Sequence, residues 1–172
     1  MELVELVDFI AGERVTAAKL NNNTVRAFSA LVTGKPFCHM GNDAAQPIAS
    51  NATAGAMLLP RIVEDSDAMA EPAANRILIR TPGVWRLTAQ MTWTTNTAGY
   101  RHAAITRNFV SMAAITGPPA NGASTRFNLS TPPIRCTGTE SFQLWAAQTS
   151  GATLNTDPAH GGVFLSAEWL RA

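Results

Sequence analysis

Charge is scarce in this chain. Lysine and arginine number 13, aspartate and glutamate 12, and the four together make up 15% of the 172 residues, for a formal net charge of +1. A protein that neutralises a phosphate backbone needs a basic stripe, and none occurs, so nucleic acid is not an expected partner. Long apolar runs are lacking too. Nothing approaches the roughly 20 residues of a membrane-spanning helix. The N-terminus, MELVELVDF, is acidic and has no basic stretch leading into an apolar core of the kind that directs secretion. Neither membrane insertion nor export is expected. Cysteine is limited to Cys38 and Cys136, which are far apart in sequence. They could pair only if the fold joins them, and two buried free thiols is the simpler expectation.

Catalytic signatures are equally thin. There is no His-Glu-x-x-His, no Gly-x-Ser-x-Gly and no phosphate-cradling loop. Of the 3 histidines, His102 falls in an expected strand beside Arg101, where a surface or interface hydrogen bond is its ordinary role. His160 sits in the turn from Thr156 to Gly162, where Asp157 is placed to pair with it as a loop salt bridge. His39 adjoins Cys38, which is not a zinc-ligand spacing. Glu64, Asp65, Asp67 and Glu71 share one acidic stretch that reads as a solvated loop, without the apolar setting that would raise a carboxyl pKa. No catalytic residue, metal or cofactor is expected.

What the sequence does have is alternation. In ILIRTPGVWRLTAQMTWT, Ile77 to Thr94, a Pro-Gly turn leads into apolar Trp85, Leu87, Ala89, Met91 and Trp93, interleaved with Arg86, Thr88, Gln90, Thr92 and Thr94. That is a strand with one buried face, as in an antiparallel sandwich or barrel. Trp85, Leu87, Met91 and Trp93 are the expected core. Turn signals recur about every ten residues through the rest, including Pro118-Pro119 and Pro132-Pro133. Strands are expected over Arg76 to Arg80, Tyr100 to Asn108, Thr125 to Ser130, Ser141 to Thr149 and Gly162 to Leu170. In the strand before last, Phe142, Leu144 and Ala146 alternate with Ser141, Gln143 and Trp145, and the last carries apolar residues on both faces, so Trp145, Phe164 and Leu170 are candidate interface residues, unless a loop covers them.

Residues 1 to about 35 have a different character. Thr16 is a plausible N-cap, and Ala17 to Val32 sets Leu20, Val25, Phe28 and Leu31 near one side of a helix that Gly34 and Pro36 end. Such a helix packs on its own core or serves as an anchor. The expected organisation is an anchor arm and helix over residues 1–35 and one β domain over 36–172.

Three segments of the β domain resemble the C1q/TNF-like jelly roll. They are Ile79 to Trp93, with a Pro-Gly turn before an aromatic; Ile134 to Ala147, with Gly138-Thr139-Glu140 where that family usually has Gly-Asp; and the closing Gly161 to Leu170, with Ser166 in place of a central glycine; His102 to Asn108 also falls where that family has a strand ending in a basic-Asn turn. The resemblance covers roughly residues 37 to 172 and implies a homotrimer that acts by binding, without catalysis. The calcium sites of some family members find no matching acidic motif here. A second, short resemblance lies in Ala11 to Asn21, AGERVTAAKLN, which is similar to a segment opening many minor structural proteins of tailed bacteriophages.

Together these resemblances imply a virion protein, assembled in the host cytoplasm and exposed on the particle. It would be a trimeric surface module of the tail tip or fibre that contacts other tail or capsid proteins and assists host attachment. A trimeric capsid-decoration or head-fibre protein is the first alternative, and a non-phage glycan- or protein-binding module the second. The loops Asn96 to Tyr100, Gly117 to Ser124 and Ser150 to His160 are neutral and rich in Gly, Pro, Asn and Thr. They are candidates for touching a cell-surface glycan or protein, or simply solvated connectors.

Overall fold

The computed structural model describes Thr16 and residues 34–172, so the expected N-terminal helix and its anchor residues Leu20, Val25, Phe28 and Leu31 lie outside the described residues. In chain order the strands are β1 (Phe37–Asn42), β2 (Pro47–Ile48), β3 (Asn51–Ala56), β4 (Arg61–Asp65), β5 (Ala70–Glu71), β6 (Arg76–Leu78) and β7 (Gly83–Trp93). There follow β8 (Arg101–Arg107), β9 (Val110–Gly117), β10 (Thr125–Ser130), β11 (Ile134–Cys136), β12 (Ser141–Gln148), β13 (Leu154–Asn155) and β14 (Val163–Arg171).

These strands build two antiparallel sheets. The first runs β4-β1-β14-β7-β10, with β11 also on β7; the second runs β5-β6-β12-β8-β9, with β3 also on β12. A short β2–β13 pair closes one end. One core fills the space between the sheets. It takes Cys38 and Met40 from β1, Trp85, Leu87, Ala89, Met91 and Trp93 from β7, and Val163, Leu165 and Ala167 from β14 on one side. Ala103, Ile105, Phe142, Leu144 and Ala146 meet them from the other. The fold is therefore an antiparallel β-sandwich.

The alternation in β7 translates directly into burial: Trp85, Leu87, Met91 and Trp93 are fully buried, while Arg86 between them is exposed. Both cysteines are buried free thiols, and burial raises Cys38 to about 12 and Cys136 to about 11, so neither is a thiolate at neutral pH.

The acidic stretch departs from expectation. Glu64 and Asp65 belong to strand β4, and the carboxylates that follow serve as acceptors inside the fold. Asp65 receives the backbone N–H of Met69 at 2.9 Å and of Ala70 at 2.8 Å, Asp67 receives the Thr81 hydroxyl at 2.6 Å, and Glu71 pairs with Arg76 at 2.6 Å. A carboxylate beside a tight turn finds unpaired N–H groups within reach, and satisfying them is worth more than hydration. The stretch is a built corner where a solvated loop was expected.

Candidate functional site

The three candidate interface residues do not share a surface. On the outer side of the first sheet, strand register sets Phe164 of β14 opposite Gln90, which in turn faces Asn128; the next row holds His39, Ser166, Thr88 and Ser130. His39 stacks on Phe164 with ring centroids 5.1 Å apart, and its Nδ1 lies 2.9 Å from the Ser166 hydroxyl. Burial, and then Arg61 nearby, lower the His39 pKa, which leaves a neutral ring on the face. Phe164 and Leu170 are both half-buried here. Trp145 projects instead from the second sheet, where its Nε1 donates to Gln143 and its ring meets Phe109 edge-on at 6.4 Å. The two faces are on opposite sides of the sandwich.

The three candidate loops, by contrast, meet at one end. The backbone N–H of Tyr100 donates to the Thr149 hydroxyl at 3.1 Å, that of Thr94 to the Asn155 carbonyl at 2.9 Å, and the Ser124 hydroxyl to the Asp157 carboxylate. Arg101 is fully buried and holds the first loop from within, donating to the carbonyls of Asn96, Ala98 and Tyr100, each at 3.0 Å. Gly99 lets this loop touch the next: its φ is +69°, and a Cβ would sit 2.0 Å from the Thr149 carbonyl oxygen. Gly99→Ala is expected to destabilise the protein by about 1–3 kcal/mol, read as a lower thermal midpoint.

Between the loops lies a cleft of about 560 Å³, lined by Thr92 and Thr95, by Gly122 to Ser124, and by Arg126 and His160. Register places Arg126 opposite Thr92, two residue pairs beyond Gln90 and Asn128 and so on the same face, and the cleft opens at the loop end of the Phe164 face. Arg126 donates through Nη2 to the His160 carbonyl. Behind the cleft, Asp157 accepts from Ser124 and lies 2.7 Å from His160 Nδ1, and the Ser124 bond followed by His160 holds its carboxyl below the usual range. The Asp157–His160 pair expected from sequence is thus present.

This trio is not a nucleophilic triad. The carboxylate stands between hydroxyl and imidazole, so the ring has no hydrogen bond to Ser124 through which to take its proton. Among the described residues no group of three or more His, Cys, Asp or Glu side chains could hold a metal ion, and no helix is long and apolar enough to cross a membrane.

Sequence reasoning missed one surface. The β8–β9 hairpin turns through Asn108 and Phe109 with φ of 47° and 69°, and exposes Phe109, Val110, Met112 and Ile115 along a sheet edge. The turn is legible, since the sequence predicts a strand ending at Asn108; the strand beyond it is not, because β9 has no alternating buried face. No protein-family model matches the chain, and no curated protein matches it.

Proposed function

We propose that this chain is a structural protein of a tailed-bacteriophage virion, a C1q/TNF-like jelly roll that assembles as a homotrimer on the tail tip or fibre and helps the particle attach to its host. The observation that carries this reading is the strand order. The closing strand β14 lies between β1 and β7, so the two ends of the β domain pair in the interior of one sheet, while β12 joins β3 and β6 to β8 and β9 in the other. Such a double-sheet wrap supports a jelly roll. The AGERVTAAKLN segment supports a virion component, and the meeting of three neutral loops at one end supports a module that works by contact.

In this reading the Phe164 face of the first sheet packs against two further copies, the N-terminal arm docks on other tail or capsid proteins, and the loop end faces the cell. Native mass spectrometry of the purified chain is expected to give a trimer. Phe164→Glu places a charge in the contact and is expected to weaken assembly by at least about 2 kcal/mol, leaving monomer at micromolar concentration. A monomeric wild-type chain sinks the trimer. Immunogold labelling of particles is expected to mark tail tips; label confined to heads makes the protein a capsid decoration instead.

A further inference from the structure

We propose that the cleft between Thr92, Thr95, Ser124, Arg126 and His160 binds an anionic saccharide unit, with its acid group on Arg126 and its hydroxyls on the surrounding side chains. The inference rests on the attachment reading only for where such a ligand would be met; the chemistry is that of the cleft.

Three properties lead to it. The first is an uncommitted cation. A guanidinium has five N–H donors in a fork that matches a carboxylate or phosphate in two-point contact. Arg126 gives one bond to the His160 carbonyl, and among the described residues no carboxylate pairs with it.

The second is that the nearest acid is already engaged. Asp157 accepts from the Ser124 hydroxyl and pairs with His160 Nδ1 through the same oxygen, and among the described residues no ion pair joins it to Arg126. The same bonds set what the two side chains offer. Ser124 spends its proton on Asp157 and is left as an acceptor, and His160 Nε2 has no partner among the described residues.

The third property is the resulting mixture. Thr95 adds a hydroxyl that donates or accepts, while Thr92, fully buried at the floor, gives its hydroxyl to the His160 carbonyl at 3.4 Å, so the lining offers one cationic fork beside several polar groups. A bare sulfate has no hydroxyls for the acceptors, and a neutral sugar leaves the guanidinium unpaired. A ligand that carries both an acid and hydroxyls satisfies the whole set. The acid could be a uronate carboxylate or a sugar phosphate, which present the same geometry to the fork.

The test is titration of the full-length protein, followed by amide chemical shifts, with galacturonate oligomers, with a sugar phosphate and with a neutral galactose oligomer as control. Resonances of Thr92, Ser124, Arg126 and His160 should move with an acidic ligand and not with the neutral one, and raising salt should weaken the binding. Arg126→Gln should weaken it at least tenfold. Thr95→Ala, which leaves the charge in place, should weaken it less. A shift with galacturonate alone or with sugar phosphate alone assigns the acid and supports the proposal. Equal binding of the neutral oligomer, an unchanged affinity in Arg126→Gln, or no binding of either acid overturns it. Since none of these readouts depends on particles or on oligomeric state, the cleft and the virion reading fail separately.

Discussion

Glu140→Ala is expected to lower the unfolding free energy by about 3–5 kcal/mol at neutral pH, measured by urea titration. The Glu140 side chain is 5% exposed and is the hub of a turn. Its carboxylate accepts the backbone N–H of Thr137 at 2.9 Å, of Gly138 at 3.1 Å and of Thr139 at 3.2 Å, together with the Thr137 hydroxyl at 3.1 Å and Arg107 Nη2 at 2.7 Å. Alanine leaves all of them without an acceptor. Glu140→Gln keeps the shape but presents an amide nitrogen to one side of the donor set, so a smaller loss of about 2 kcal/mol is expected.

The same group sets the acid limit. Burial alone would raise its pKa, but the hydrogen bonds from Thr137 and Thr139 outweigh burial and hold the carboxyl at about 2, against an ordinary value of 4.5. A depressed folded pKa means stabilisation that is complete above pH 4.5, falls as the pH drops through that value, and is gone below about 2. The separation corresponds to about 3 kcal/mol. Urea midpoints of the wild type should fall across this window more steeply than those of Glu140→Gln; parallel curves would refute the assignment.

Trp85→Ala should cost a comparable 3–5 kcal/mol, roughly, with an unfolded population detectable near body temperature. Trp85 is fully buried, pairs across strands with Trp169 and Ile134, and donates its indole N–H to the Thr81 carbonyl at 3.1 Å. Thr81 is itself buried and donates to Asp67, so the indole is tied to the corner built by the acidic stretch. Trp85→Phe separates the two contributions. It retains much of the apolar volume but strands the Thr81 carbonyl, for about 1–3 kcal/mol. Equal losses in the two variants would show that packing contributes nothing beyond the hydrogen bond.

Sequence alone reveals β7 because from Trp85 to Met91 its burial is one-sided, which period-two patterning reports without knowledge of the rest of the fold. It does not reveal β9, whose apolar residues lie on an open edge and so follow no buried face. The acidic corner was hidden for another reason. Whether Asp65 meets water or the N–H groups of Met69 and Ala70 depends on a turn a few residues long, and composition carries no record of that turn.

Interface residues pose a harder problem. Trp145 and Phe164 look alike in pattern, each an aromatic out of phase with a buried alternation, and only the assignment of their strands to different sheets separates them. Each of the three loops is visible from its Gly, Pro, Asn and Thr content. Their meeting is not, since the Ser124–Asp157 bond joins positions 33 residues apart.

Arg101 gives the Asn96 to Tyr100 loop an unusual freedom. Its guanidinium grips mainly main-chain carbonyls, which every amino acid supplies, together with the Asn96 side-chain oxygen at 3.3 Å. The loop's path is therefore held largely independently of the identities of Thr97 and Ala98. Substitutions there alter the exposed surface while the scaffold beneath stays in register, so this tip tolerates change one residue at a time without refolding of the domain.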